Sequence, residues 1–125
     1  MSKNLNLGVT DGQLAGLPSS PNAVSSQTDQ PTKQVEALPL KGSAAETKAA
    51  IIDCLAKMGG NNIAAQTDEY IYTVFTSRLL RFKDDVEFCI DATAGQVHFR
   101  SGSRVGHSDL GANRKRYQTF RGFYQ

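Results

Sequence analysis

The chain has 125 residues, 39% of them apolar, with two cysteines and a formal net charge of +2. This is the composition of one compact domain rather than a disordered or fibrous chain, and a domain of this size buries about 60 to 70% of its unfolded surface without disulfide staples. There is no run of about 18 apolar residues and no apolar signal-peptide core in Met1–Leu7, so the chain reads as soluble and cytoplasmic.

From Met1 to about Gly42, Ser, Gln, Asn, Gly and four prolines dominate, which predicts an extended, irregular segment. It reads either as a solvated tail or, through Leu14, Leu17, Val24, Val35, Leu38 and Leu40, as an arm laid across the domain. Ser43-Ala44-Ala45-Glu46 is a capping box that starts a helix, with Ala45, Ala49, Ile52, Leu55 and Ala56 as its expected core stripe and Gly59-Gly60 as its stop. After Asn62 the period changes to two, giving strands over Ile63–Thr67 and Tyr70–Thr76. Val86, Phe88 and Ile90 then alternate with Glu87, Cys89 and Asp91, and Val97 and Phe99 with His98 and Arg100, a hairpin turning at Gly95. Glu87, Asp91, His98 and Arg100 are expected on a solvated sheet face as cross-strand pairs. A last helix, capped by Ser108 or Asp109, carries Leu110, Tyr117, Phe120 and Tyr124 on its apolar side. Asn113 shares that side and must find hydrogen-bond partners there.

This order predicts an α+β domain over residues 43–125: a four-stranded antiparallel sheet covered on one face by two helices, preceded by the 1–42 arm. Cys54 and Cys89 read as reduced packing thiols. With no Cys-x-x-Cys pattern and only His98 and His107 as histidines, no metal site or cofactor is expected.

The segment with the most chemistry is Arg100 to Arg116. Residues 100–125 carry six Lys/Arg and one Asp, leaving the rest of the chain net negative. Arg100 and Arg104 offer forked donors for a carboxylate or phosphate, Ser101, Ser103 and Ser108 offer hydroxyls, and Gly102, Gly106 and Gly111 allow close backbone approach. Asp109 competes for the helix terminus that an anion would use. Three readings stay open: a structural turn in which Asp109 caps, Asn113 buttresses and the arginines pair with Asp84 or Asp85; an anion or acidic-peptide site; and catalysis. Asp84 and Asp85 are adjacent carboxylates, but neighbours on a strand point to opposite faces, which spoils a shared Mg²⁺ site and favours structural pairing to Arg81 or Arg104. His107-Ser108-Asp109 has the residue types of a hydrolase triad without the geometry, since sequence neighbours in a turn do not align donor to acceptor. Arg114, Lys115, Arg116 and Arg121 among aromatic residues read as a solvated basic helix face, and a net charge of +2 makes nucleic acid an unlikely partner.

Three separated motifs carry a resemblance: Leu7-Gly8-Val9-Thr10-Asp11-Gly12 with Pro18 to Gln27; Arg81-Phe82-Lys83-Asp84-Asp85-Val86-Glu87-Phe88; and Arg100 to Arg114. In this order they resemble the DUF1499 family, and cyanobacterial and plastid members most of all. The resemblance implies an arm packed on the domain and no particular activity. Family members commonly carry Cys at the positions of Leu17 and Ala23; this chain lacks both, so no metal or disulfide on that pair is implied. The functional expectation is a small non-enzymatic binding or assembly module in which Arg100, Ser101, Ser103, Arg104, Ser108, Asn113, Arg114 and Arg116 contact an acidic protein or an anionic lipid headgroup. A small-anion receptor or enzyme using Arg100 to Asn113, and weak nucleic-acid binding, are the alternatives.

Overall fold

The computed structural model describes residues 7–106, 109 and 111–125. In chain order the elements are β1 (Val9–Thr10), β2 (Gln13–Leu14), β3 (Ala23–Ser25), a 3₁₀ turn (Pro31–Lys33), β4 (Leu38–Pro39), α1 (Ala44–Met58), β5 (Asn61–Thr67), β6 (Tyr70–Thr76), β7 (Lys83–Asp91), β8 (Gln96–Ser103) and α2 (Ala112–Tyr124). The fold is α+β with both helices on one face of an antiparallel sheet. That sheet has six strands, not the four expected. The difference comes from the arm: β3 pairs with β8 at Arg100–Gly102 and β4 pairs with it at Gln96–Val97, together completing an edge that the four long strands leave open.

Local chemistry accounts for most elements. The Ser43 hydroxyl accepts from the Glu46 amide at 3.1 Å and the Glu46 carboxylate accepts from the Ser43 amide at 2.9 Å, the reciprocal box that starts α1. Gly59, at φ +68°, ends it in the left-handed region. The core stripe is rotated from the expected one: Thr47, Ile51, Cys54 and Leu55 are buried, whereas Ala45, Ala49 and Ala56 face solvent. Three alanines bury too little area to outweigh Ile51 and Leu55, so the larger side chains set the helix rotation.

Inside, Val86, Phe88 and Ile90 of β7 and Val97 and Phe99 of β8 meet Tyr117, Phe120 and Tyr124 of α2. Phe99 and Tyr117 stack at 4.1 Å between centroids, and Phe88 lies edge-on to Phe99 at 5.2 Å. Both cysteines are free and buried.

The opposite face of the sheet is covered too, contrary to the expectation of a solvated surface. β1 and β2 form a tight hairpin through Asp11 and Gly12, whose φ values of 52° and 77° fit the type I′ turn that Asp-Gly favours. The chain around this hairpin lies over Glu87 and Arg100, which are 0% and 7% exposed. Gly102 allows β3 to close on β8: a Cβ there would meet the Ala23 methyl at 3.3 Å. No helix among the described residues is long and apolar enough to cross a membrane.

The rotated helix face gives a direct check. Ile51→Ala should destabilise the domain by about 2–5 kcal/mol, and Ile52→Ala, at a half-buried flank, by clearly less, as read from urea unfolding midpoints.

Candidate functional site

Alternation along β7 and β8 sends Asp84, Ser101 and Ser103 to the helix side of the sheet and Asp85, Glu87, Arg100 and Arg104 to the arm side. The late motif is therefore split into two polar clusters back to back.

On the helix side the node is Asn113, fully buried in the first turn of α2. Its amide nitrogen donates to the Asn22 carbonyl at 3.1 Å, the Ser103 hydroxyl at 2.9 Å and the Asp109 carboxylate at 2.7 Å. Its oxygen accepts from the Ser101 hydroxyl and, at 2.9 Å, from Arg116. Asp109 in turn accepts from the backbone amides of Gly111 at 2.8 Å and Asn113 at 3.1 Å. It thus serves the exposed amides of the helix start from just outside, with Gly111 at φ +82° between them. Arg116 closes the cluster with a 2.7 Å ion pair to Asp84 and lies over the Phe75 ring. His107, Ser108 and Leu110, and with them the histidine-serine part of the triad motif and the first residue expected on the apolar stripe of the last helix, lie outside the described residues. The Asp109 carboxylate is occupied by α2.

On the arm side Arg104 forks onto Asp85, with donor distances of 2.9 to 3.2 Å, and reaches the Tyr72 hydroxyl at 3.3 Å. Arg100 lies 3.6 Å from Glu87 and donates to the carbonyls of Ala15 at 3.0 Å and Gly16 at 3.1 Å. One oxygen of Glu87 accepts from the Tyr70 hydroxyl and the Gly8 amide, while the other is buried without a hydrogen bond. Asp84 and Asp85 face opposite ways: Asp85 meets Arg104 as expected, while Asp84 meets Arg116 and neither pairs with Arg81, which is exposed on the turn before β7. A cavity of about 250 Å³ opens between arm and sheet, lined by Asn22, Asp85, Arg100 and Arg104 and also by Leu17 and Ala23. Each guanidinium there is already engaged, Arg104 by Asp85 in the wall and Arg100 by Glu87 and the arm carbonyls behind it, which leaves few donors for an anion.

The cations of α2 are also engaged. Arg114 donates to the carbonyls of Thr32 at 2.8 Å and Gln34 at 3.2 Å, and Arg121 lies 3.5 Å from Glu36. Lys115 alone among the four remains fully on the solvent side. The expected solvated basic face is thus mostly engaged: Arg114 and Arg121 clamp the arm and Arg116 is tied to Asp84 of β7.

Among the described residues, a cluster of cations without carboxylate partners lies elsewhere, around the start of the central motif. Between β6 and β7, Ser77 to Lys83 are all exposed, Leu79 to 89%, Leu80 to 63% and Phe82 to 52%, with Arg78, Arg81 and Lys83 interspersed. The turn is closed at its base, where the Ser77 amide donates to the Phe82 carbonyl and the Phe82 amide to the Ser77 hydroxyl, both at 2.8 Å. Val105, 57% exposed, is nearby, since the Arg104 amide donates to the Lys83 carbonyl at 3.1 Å. The readable signal was three large apolar residues between two strands, matching neither period and interrupted by cations. Among the described residues no carboxylate pairs with Arg78, Arg81 or Lys83, and no three His, Cys, Asp or Glu side chains converge as a metal site would require.

Burial shifts the ionisable groups in opposite senses. It pushes the Glu87 carboxyl up, which the hydrogen bonds from Tyr70 and Gly8 and the Arg100 charge only partly offset. Burial likewise holds Arg100 below the usual guanidinium range against the attraction of Glu87. For Asp109, burial acts upward but is outweighed by the hydrogen bonds from Asn113 and Gly111, which hold it below the usual carboxylate range. The stability contribution of Glu87 is therefore fully present below about pH 4.3, its unfolded value, and is lost as pH rises through the raised folded value. That of Asp109 is present above about pH 3.9 and is lost as pH falls through the lowered one. In unfolding titrations across pH 2–8, wild type should lose ground to Glu87→Gln as pH rises, and the advantage of wild type over Asp109→Ala should shrink as pH falls. Asn113→Ala, which strands several buried groups at once, should cost more than about 2 kcal/mol at neutral pH.

No curated protein and no solved structure matches the chain. A family model described as "Protein of unknown function (DUF1499)" matches residues 13–122, a span that runs from β2 into the last turn of α2 and holds the side chains of both polar clusters and the exposed turn. The chain belongs to the DUF1499 family.

Proposed function

We propose that the protein is a small non-enzymatic binding module that presents the turn between β6 and β7 to an anionic partner surface. The observation that carries this reading is the coincidence of exposed Leu79, Leu80 and Phe82 with Arg78, Arg81 and Lys83 on one projecting turn. Exposed apolar side chains gathered in one place mark interaction sites more often than scattered ones do, and the adjoining cations set the sign of the partner.

Two further features fit. The late motif is consumed internally: Arg100, Ser101, Ser103, Arg104, Asn113, Arg114 and Arg116 all hydrogen-bond to other parts of the chain, as a frame would require. Charge is also polarised along the sheet. Asp68 and Glu69 sit in the turn between β5 and β6, and Asp91 at the start of the turn between β7 and β8, at the end opposite the cationic turn. Such a dipole orients the molecule as it approaches a negative surface.

The test compares two double variants for binding to poly-glutamate and to beads coated with anionic phospholipid. Arg78→Glu with Arg81→Glu should abolish binding to whichever probe wild type engages while leaving the melting temperature unchanged. Arg114→Glu with Arg116→Glu should instead lower stability by about 3 kcal/mol or more, because Asp84 is left buried beside a like charge. Wild-type binding to neither probe, or undiminished binding by the turn variant, would remove the reading.

A further inference from the structure

We infer that the partner surface is an anionic phospholipid bilayer, into whose headgroup region Leu79 and Leu80 insert. This rests on the docking role of the turn proposed above and names its partner.

The shape of the turn argues for a fluid partner. Its apolar residues project as a convex tip, most exposed at Leu79 and Leu80, instead of lining a groove that a peptide would fill. A protein partner would need a socket matched to that tip, whereas lipid conforms to it. The distribution of polarity is the one that interfacial insertion requires. Leu79 and Leu80 lie at the apex, Arg78 and Arg81 flank them directly, and Phe82 and Lys83 follow at the base. Two leucines entering the acyl boundary would bring both guanidinium groups to phosphate level, with the aliphatic stems of the arginines crossing the interface. Val105, beside the base of the turn, adds apolar surface at the same end of the sheet.

The tip is also held in shape before contact. The paired 2.8 Å hydrogen bonds between Ser77 and Phe82 close the loop, and Arg81 occupies the left-handed region at φ +58°. Little conformational freedom is then lost on insertion. With the tip inserted, the acidic turns carrying Asp68, Glu69 and Asp91, at the other end of the sheet, point away from the bilayer.

The chain contains no tryptophan, so Leu80→Trp supplies a single reporter at the tip. Mixed with vesicles of phosphatidylcholine and phosphatidylglycerol at low salt, this variant should show a blue shift in emission and quenching by lipids brominated along the acyl chain. Vesicles of phosphatidylcholine alone should give neither. Wild type should co-sediment with the mixed vesicles, each cation removed from Arg78 or Arg81 weakening this by about fivefold. Leu79→Ser with Leu80→Ser should reduce it by at least about tenfold at unchanged melting temperature. Equal response to both vesicle types, no blue shift on the mixed vesicles, or co-sedimentation undiminished by the double serine variant would each overturn insertion. If wild type engages poly-glutamate but not the mixed vesicles, the bilayer is wrong and the docking turn stands. If it engages neither, the docking turn itself falls.

Discussion

An irregular segment laid over a sheet must satisfy its own backbone, because each buried carbonyl or amide left without a partner costs about as much as a lost hydrogen bond. In this protein that requirement organises much of the chemistry. The arm from residue 7 to Pro39 has few regular elements, and its carbonyls are met one after another from the C-terminal half. Arg100 takes those of Ala15 and Gly16, Arg114 those of Thr32 and Gln34, Tyr117 that of Glu36 and Tyr124 that of Pro39. Half of the six cations of residues 100–125 are thus turned on the first forty residues, Arg100 and Arg114 through carbonyls and Arg121 through Glu36. A guanidinium suits this use, since its fork spans two successive carbonyls at once.

The same constraint explains why the sheet has two polar clusters and only one apolar core. The helix side follows the ordinary rule, with aromatic and branched residues packed between layers, interrupted only where Asn113 joins α2, β8 and the chain before β3. The arm side is different in kind. Glu87 and Arg100 are desolvated together, and such a pair contributes little net stability unless its remaining donors and acceptors are used. The arm uses them, through the Gly8 amide and the two carbonyls, so cover and covered groups depend on one another. The orphaned Glu87 oxygen marks where that compensation is incomplete.

How legible was this in the sequence? The long elements were readable because their periods are clean: the capping box at Ser43, the alternation from Val86 to Ile90, and the stripe from Asn113 to Tyr124 all read correctly. The rotation of α1 was not, because alanines count as apolar in a periodicity while contributing little burial. The two extra strands escaped because β3 and β4 span three and two residues, too few to display a period, and their pairing is decided by a strand far along the chain. Asp11-Gly12 was a readable hairpin signal hidden within a segment judged by composition. At the late motif the residue types were found, yet types alone do not distinguish a guanidinium aimed at a ligand from one aimed at the chain's own carbonyls. The exposed turn overlaps the Arg81-Phe82-Lys83 start of the central motif, but its interest lies in an exposure that only the folded arrangement reveals.

Strand β8 gives the topology a kinetic character. It pairs with β7 through a tight hairpin, but its other edge is filled by Ala23–Ser25 and Leu38–Pro39, partners separated from it by α1 and three strands of intervening chain. Closing such long loops delays the reward for pairing, and domains rich in distant contacts fold slowly for that reason. As the chain emerges from a ribosome, the arm is made first and must wait, with Val24 and Leu38 uncovered, until nearly the whole domain has been synthesised. Its prolines and its scarcity of long apolar runs keep that wait safe, since such a segment is a poor template for association with other chains.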